Sequence, residues 1–397
     1  MVNLNSPATT GMRHVDYYIS GQLIERDDNA QQHYTETLIT LNGSGLCLDF
    51  ATEAQRLATI SVNREDLDID RNAVVFISGA NLSEITPEVE AAWVKVMASV
   101  PNSKLVLYPF NNNSPSSLPI VQFKKRLVAA LTSQGLSEEQ LTILGPLPNR
   151  ADIKECLKLA DIYLNSYYSS GINALIEPLE IGLPTVVMEG DTSLSRIGAS
   201  LLRELQVPDL ITNTESSYIQ LAVALGTNPE LRKQKSEQIK QNMQGNPRFL
   251  DSHAYSVQMG VIFQDVFLKH LADPLSKDLK LRDINLIIFP DWNQSEESLN
   301  QDFSNVLKAI ATHPDRIRIT LVIDTTNISE ADAELAISGV IMNLLMEEDL
   351  DVADGLEISL MGNLSEMQMK ALLPHIQGRI VLENENQQAL IQRKAIN

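Results

Sequence analysis

The chain has 397 residues, of which 44% are hydrophobic and 21% are charged, and its formal net charge at pH 7 is −20. This length allows two or three domains, each with a core of its own. The acidity argues against nucleic acid or an anionic membrane as a partner, because both are bound through concentrated Lys and Arg. No apolar run approaches the roughly 18 residues that a membrane-spanning helix needs.

Two further features bear on the compartment and on cofactors. The first residues, MVNLNSPATTG, lack the basic and apolar regions of a signal peptide. Cys47 and Cys156 are isolated, with no second cysteine or histidine at metal-ligand spacing. We therefore expect a cytoplasmic protein without disulfides, without a metal ion and without a cofactor.

The first part of the chain predicts an α/β fold. Residues 1–70 give scattered strand signals, of which HVDYYISG is the clearest. From residue 73 apolar strands alternate with helices, a pattern typical of a mostly parallel, doubly wound sheet. The predicted strands are 73–77, 104–108, 141–144, 160–164 and 185–188. The helices between and after them are predicted to end with a closing amphipathic helix at 253–271.

A second, smaller α/β unit is predicted at 283–397, after a charged linker at 273–282. Its predicted strands are 284–289, 317–323, 356–360 and 379–382, with helices at 295–311, 330–347 and 365–375. The same order of strand and helix sequences occurs in 73–159, which suggests a duplicated half-domain. Convergence of two similar α/β units is the alternative.

Residues 159–190 form the most informative stretch, with a strand, a glycine-containing turn, a helix, a second turn and a strand. Ser169-Ser170-Gly171 opens the helix, which carries Asn173 and Glu177. A helix N-terminus suits a diphosphate, because its first N–H groups lack partners and its dipole is positive there. Glu177 is placed to reach a ribose diol. An ordinary βαβ unit without a ligand fits the same pattern.

The joint order of these pieces resembles the C-terminal nucleotide-sugar-binding lobe of the O-GlcNAc transferase/SPINDLY family. The matching segments are ITPEVEAAW, PNSKLVLYPF, ILGPLPNRAD, LADIYLN, LEIGLPTVVMEGDTSLSR and QLAVALGTNPELR. The resemblance implies a GT-B fold in which 71–272 is a Rossmann-like nucleotide-sugar-binding domain. PATTG and VDYYIS resemble the last strand of the N-terminal lobe, so 1–70 is expected to be a remnant of that lobe. Residues 281–386 resemble an appended α/β domain of cyanobacterial members.

The resemblance also implies an activity and a set of site residues. The family uses a UDP-sugar donor, and the implied reaction is inverting transfer of a hexose or N-acetylhexosamine to a protein side chain. Glu177 is implied to bind the ribose hydroxyls, and Arg150 to lie near the uracil. The diphosphate is implied to face Ser170, Gly171, Ile172 and Asn173, above a first turn formed by Ser78, Gly79 and Asn81. No residue is assigned a catalytic role.

Three positions depart from the family pattern. Glu84 stands where the first helix of the family carries a Lys that neutralises the leaving diphosphate, and Ile172 and Ser6 stand where histidines are common. One cationic donor at a departing diphosphate is worth several kcal/mol of transition-state stabilisation. The alternative hypothesis is therefore a non-catalytic or partner-dependent nucleotide-sugar-binding scaffold; an epimerase of the same fold is a weaker third one. Apolar surface left by a short first lobe would favour a homo-oligomer.

Overall fold

The computed structural model describes residues 2–4, 8–25, 29–50, 53, 56–108, 118–145, 147, 149–168 and 171–392. The chain divides into two units, Met1–Gln258 and Met259–Asn397. Within the described ranges, every helix is too short or too polar to span a bilayer. The domain limits inferred from the sequence remain predictions.

The first unit begins with a small parallel sheet of three strands. These are β1 (Val2–Leu4), β2 (Tyr17–Gly21) and β3 (Thr37–Leu41), in the order β1-β2-β3. The strand expected from HVDYYISG is therefore confirmed. Just before β3, the Glu36 carboxylate accepts hydrogen bonds of 2.7 Å from both Thr9 Oγ1 and Thr10 N. A hydrogen bond from the Thr10 hydroxyl, together with these two, lowers the pKa of Glu36 to about 2 and fixes Thr9 and Thr10 beside the sheet.

The main sheet of the first unit has six parallel strands. Its order is β6-β5-β4-β7-β8-β9. The strands are β4 (Val74–Ser78), β5 (Ser103–Leu107), β6 (Leu141–Ile143), β7 (Ile162–Leu164), β8 (Thr185–Met188) and β9 (Ile211–Thr212). The central strands are almost wholly buried, as expected for a parallel sheet that is covered on both faces. The five predicted strands are confirmed within two residues at each end, and the two-residue β9 was not predicted.

Seven helices follow the strands of this sheet in the described part of the chain. They are α1 (Pro87–Ser99), α2 (Leu118–Ser133), α3 (Arg150–Leu157), α4 (Ile172–Glu180), α5 (Ser193–Glu204), α6 (Glu215–Thr227) and α7 (Pro229–Gln244). Trp93 of α1 is fully buried, and its Nε1 donates to the Tyr218 hydroxyl of α6 at 3.2 Å. This bond joins two helices that pack on the same core.

The next helix, α8 (Ser252–Asp278), is longer than the sequence predicts. The sequence predicted an end near residue 271, and a proline at 274 disfavours a longer helix, because it lacks an N–H and its ring clashes with the carbonyl four residues earlier. That prediction was wrong: the helix continues through Pro274 into the segment predicted as a linker. Ala272, Leu275 and Leu279 are buried, so burial of apolar side chains beyond residue 271 offsets the cost of the proline.

The second unit repeats part of the topology of the first. Its strands are β10 (Ile284–Ile288), β11 (Ile319–Asp324), β12 (Glu357–Met361) and β13 (Gly378–Arg379), and its helices are α9 (Glu296–Ala311), α10 (Glu330–Glu348), α11 (Glu366–Leu372) and α12 (Gln387–Gln392). The parallel order β12-β11-β10-β13 matches β6-β5-β4-β7. This agreement supports the predicted repeat, whereas its origin by duplication stays an interpretation.

Candidate functional site

The main sheet changes its direction of growth between β4 and β7. From β4 the chain builds outward through β5 and β6, and it then adds β7, β8 and β9 on the other side of β4. In open parallel sheets, ligands bind outside the carboxyl ends of the strands at such a switch point. Ser78 is the last residue of β4, and the chain that leaves β7 leads to the N-terminus of α4. Ser78 and the N-terminus of α4 therefore lie at the edge where open parallel sheets bind ligands.

The turn after β4 lies on two buried tyrosines. The Gly79 N–H donates to the Tyr163 hydroxyl at 3.1 Å, and a β-carbon at Gly79 would lie 2.2 Å from Cζ of Tyr108. Burial is the main cause that raises the pKa of both phenols, so both stay protonated at neutral pH. Ser78 is itself buried. Packing against Tyr108 thus explains why residue 79 is a glycine.

The next residues of this turn bring a carboxylate to the site. The Asn81 N–H donates to Glu84 Oε2 at 2.8 Å, and Asn81 Nδ2 donates to Glu84 Oε1 at 3.2 Å. A backbone N–H in this turn is the kind of donor that a diphosphate uses. The Glu84 carboxylate therefore occupies both donors of Asn81 and gives this turn a negative charge.

The N-terminus of α4 lies beside that turn. A β-carbon built on Gly171, which directly precedes α4, would be 3.7 Å from Asn81 Nδ2 and 3.9 Å from Glu84 Oε1. Ile172 is the first residue of the helix. Ser170 lies outside the described residues, and for Asn173 the structure describes the helical backbone alone. The structure thus brings Asn81 and Gly171 together, as the family resemblance implies.

A cavity of about 120 Å³ adjoins Ile172 on the side of the small sheet. Its walls are mainly apolar, with contributions from Tyr18, Ile24, Leu46 and Leu194. An apolar wall offers no charge to a phosphate, so this side of the helix N-terminus suits an uncharged group.

Arg150 and Glu177, both implied as nucleotide ligands, form a buried ion pair with each other. Arg150 Nε lies 2.8 Å from Glu177 Oε1, and Arg150 Nη2 lies 2.8 Å from Glu180 Oε2. The exposed fractions of the Arg150 and Glu177 side chains are 10% and 4%. The guanidinium carbon lies 3.3 Å from the centre of the Phe50 ring. A nucleotide would thus meet these residues as a preformed unit that joins α3 to α4.

Burial and pairing act on the Glu177 carboxyl in opposite directions. Burial raises its pKa, and the hydrogen bond and charge of Arg150 lower it, with burial the larger effect. A carboxylate in such a position is costly without its cation, because an unpaired charge in a low-dielectric interior is poorly solvated. The ionised form of Glu177 therefore depends on Arg150.

Several residues of this site were not predicted from the sequence. Glu180 lies three positions after Glu177, on the same face of α4, and this spacing is a local signal that could have identified it. Phe50 and Tyr163 gave no such signal. Phe50 meets Arg150 across one hundred positions, and Tyr163 contacts Gly79 from a neighbouring strand.

The family to which the chain belongs follows from a comparison of its sequence with known protein families. The sequence profile of Glycosyl transferase family 41 matches residues 47–259, which is more than half of the chain. The chain belongs to this family. The matched range contains every site residue that the resemblance implied, from Ser78 to Glu177, and the family resemblance seen in the sequence is confirmed.

Curated relatives in plants are similar over the same region. A protein of Arabidopsis thaliana described as probable UDP-N-acetylglucosamine–peptide N-acetylglucosaminyltransferase SPINDLY is 27% identical over 266 residues, which is 66% of this chain and 27% of the relative. The protein of the same description from Hordeum vulgare is 30% identical over 237 residues, 58% of this chain and 24% of the relative. The chain spans about a quarter of the length of these relatives.

A solved structure shows the same fold. A mutant of the Thermobaculum terrenum O-GlcNAc transferase superimposes with a TM-score of 0.54 at 24% identity, over 66% of this chain and 47% of that one. The predicted α/β fold of the GT-B class is thereby confirmed. The match supports a glycosyltransferase-like fold for the first unit.

Proposed function

We propose that this family-41 chain binds a UDP-sugar at the switch point of its main sheet and transfers the sugar to a protein side chain. One observation carries the proposal. The N-terminus of α4, which offers backbone N–H groups to a diphosphate, lies beside the first turn, since a β-carbon built on Gly171 would be 3.7 Å from Asn81 Nδ2. The Arg150–Glu177 pair, which joins the start of α3 to α4, is assigned to the uridine.

The proposed reaction is a direct displacement. An oxygen of the acceptor side chain forms a bond to the anomeric carbon while the bond from that carbon to the diphosphate breaks. UDP leaves with the bonding electron pair, and the acceptor proton passes to a base that we do not assign. Catalysis by such a site requires stabilisation of the charge that develops on the departing diphosphate.

Glu84 opposes this role in the unliganded protein. Its carboxylate holds both donors of Asn81, so a diphosphate has to displace it or share those donors. A hydrogen bond to a charged group contributes about 1.5–3 kcal/mol, and 1.4 kcal/mol corresponds to a tenfold change in affinity. We therefore expect Glu84→Gln to bind UDP about tenfold more tightly than the wild type.

The experiment is calorimetric titration with UDP of the wild type, Glu84→Gln and a matched control. Glu139→Gln is the control, because Glu139 is an exposed carboxylate near β6, and its removal changes net charge by the same amount. The proposal expects tighter binding for Glu84→Gln and none of this gain for Glu139→Gln. Equal affinity of all three proteins would contradict the assigned position of the diphosphate.

The same carboxylate favours a second candidate function, that of a non-catalytic nucleotide-sugar-binding scaffold. A negative charge beside Gly171 hinders departure of UDP more than it hinders binding, since charge on the diphosphate grows in the transition state. Incubation with radiolabelled UDP-sugars and acceptor peptides separates the two functions. Transfer by the wild type, increased in Glu84→Lys, supports an enzyme. Binding without transfer or hydrolysis in both proteins supports a scaffold.

A further inference from the structure

A cleft of about 380 Å³ lies at the opposite edge of the main sheet, where β7 and β8 begin. Four cationic side chains line it, in a chain whose net charge is −20. They are Lys158, Arg232, Lys233 and Lys240. Asp161 is the one acidic residue of the described lining. We name this feature the basic cleft, and neither the family comparison nor the donor site accounts for it.

The carboxylate of Asp161, the acidic residue of the basic cleft, is neutralised by groups that do not line the cleft. Asp161 Oδ2 lies 2.9 Å from Arg64 Nη2 and accepts the Val75 N–H at 2.8 Å. Its charge is therefore directed to Arg64 and to the start of β4. The charge of Asp161 consequently does little to neutralise the four cations of the cleft, which remain available to an anionic ligand.

Two of the cations are held in position by the fold. Arg232 Nη1 donates to the carbonyls of Leu225 and Gly226 at 2.7 and 2.9 Å, which orients its guanidinium at the end of α6. The Lys240 side chain lies over Gly182, where a β-carbon would be 2.2 Å from Lys240 Cγ. Gly182 also has a φ of +76°, a conformation that glycine adopts without strain. The packing thus holds the Lys240 side chain against Gly182, which also lines the cleft.

The partners of the lysines differ. Lys158 forms an ion pair with Glu155, three positions before it. Within the described ranges, Lys233 and Lys240 make no ion pair, although the protein has 51 acidic residues against 31 basic ones. Both are exposed. Lysines of an acidic protein that converge on one cleft without carboxylate partners are suited to bind an anion from solution.

The sequence of α7 shows how the basic cleft is built. Arg232, Lys233, Ser236 and Lys240 follow one another at spacings of one, three and four residues, which places them on one side of the helix. Lys235, the remaining cation of α7, is buried elsewhere and pairs with Asp209. Helix α7 therefore directs three of its cations to the cleft and uses the fourth, Lys235, in an ion pair within the fold.

We propose that the basic cleft binds a small molecule that carries two or more phosphate groups. Lys provides compact point charges for phosphate, and Arg provides a planar set of donors. With four cations, of which one is paired, the cleft matches the three or so negative charges of a diphosphate better than the single charge of a carboxylate. Its volume falls within the range of small-molecule sites, roughly 300–1,000 Å³, and exceeds the need of one phosphate ion.

The basic cleft and the donor site are separate. The donor site lies at the carboxyl ends of β4 and β7, whereas the cleft lies before β7 and β8. Helix α4 runs from one to the other, and its nine residues span about 13 Å. The proposal therefore does not depend on UDP-sugar binding, although a diphosphate probe can reach both sites and the experiment has to distinguish them.

Calorimetric titration with inorganic pyrophosphate tests the proposal. We expect the double variant Lys233→Met and Lys240→Met to bind about tenfold more weakly, since it loses two unpaired charges. Lys125→Met, which removes an exposed lysine from α2, should change the affinity less than twofold. Asn81→Asp adds a negative charge to the donor site and should leave binding to the cleft unchanged. The single variant Lys233→Met serves if the double variant does not fold.

Three outcomes would overturn the proposal. In the first, pyrophosphate binding is lost in Asn81→Asp and retained in the lysine variants, so that the probe binds at the donor site alone; this would leave the proposed function standing. In the second, Lys125→Met weakens binding as much as the cleft variants do. In the third, citrate or a poly-glutamate peptide binds the cleft more tightly than pyrophosphate, which would indicate a site for carboxylates or an acidic polypeptide.

Discussion

Replacement of Arg150 by Met should strongly destabilise the first unit. Arg150 holds Glu177 and Glu180 at 2.8 Å each and covers the Phe50 ring. Methionine fills a similar volume but leaves the Glu177 carboxylate buried without a cation. Removal of one partner of a buried pair costs about 3–5 kcal/mol, largely through the uncompensated charge that remains.

The double variant Arg150→Met and Glu177→Leu isolates the cause. If the cost comes from the unpaired carboxylate, removal of that carboxylate as well should restore most of the stability, because apolar residues of similar volume replace buried pairs at little cost. The two substitutions are therefore expected to be strongly non-additive in the free energy of unfolding.

The cost should also depend on pH, in a direction set by the raised pKa of Glu177. Burial lifts this pKa above its ordinary value of 4.5 in the folded protein. A carboxyl with a raised folded pKa favours folding below its unfolded pKa, and this contribution is lost as pH rises through the folded pKa. Loss of Arg150 raises the folded pKa further. The destabilisation by Arg150→Met should therefore be smaller at pH 5 than at pH 8.

The free energy of unfolding of the first unit can be measured by tryptophan fluorescence, because each unit contains one tryptophan. Trp93 is buried in the first unit, so the Trp292→Phe background makes its fluorescence a reporter of that unit in urea. Arg71→Met is the matched control, because Arg71 pairs with Glu65 at the surface with 84% of its side chain exposed, where such pairs contribute about 0–1 kcal/mol. Equal effects of Arg150→Met and Arg71→Met, or simple additivity with Glu177→Leu, would refute the reasoning.

Three further predictions follow from the first unit. Gly79→Ala should lower the thermal midpoint and weaken UDP binding, because the new methyl group collides with Tyr108; an unchanged midpoint would show that the turn can shift. Acidification from pH 5 to pH 2 should reduce the protection of the Thr10 amide from hydrogen exchange, because Glu36 becomes protonated. The pKa of Glu36 is lowered in the folded protein, so its contribution to stability is present above the unfolded pKa and is lost as pH falls through the folded pKa. Constant protection would contradict this. Cys156, with a pKa raised to about 11 by burial, should react with a disulfide reagent at pH 8 only after unfolding; fast reaction of the native thiol would show that the core opens.

The strands of the main sheet could be predicted from sequence because a parallel sheet is buried on both faces. Strands such as β4 and β5 therefore contain apolar runs, VVFI and LVL, that stand out between polar loops. The short β9 has two residues and no such run. The end of α8 was misplaced because the helix continues through Pro274, where burial of Leu275 stabilises it, and this burial depends on the folded chain rather than on the local sequence.

The candidate site was predictable to a different degree. Family position and helix rules placed Gly171 and Asn81 at one site, and the structure brings them together. The pairing of Arg150 with Glu177 joins positions 27 apart, and no local pattern encodes such a contact. In the same way, the sequence identifies Glu84 as a departure in charge but does not show that its carboxylate takes the donors of Asn81.

Titration of the wild type with UDP tests the central claim most directly. The account predicts saturable binding of one UDP at the donor site of each chain, separate from any diphosphate bound in the basic cleft. Asn81→Asp should weaken this binding, because it adds a charge beside Glu84, and the Lys233→Met and Lys240→Met variant should bind UDP at the donor site as the wild type does. If neither the wild type nor Glu177→Ala binds UDP at millimolar concentration, the assignment of a nucleotide to the switch point is contradicted.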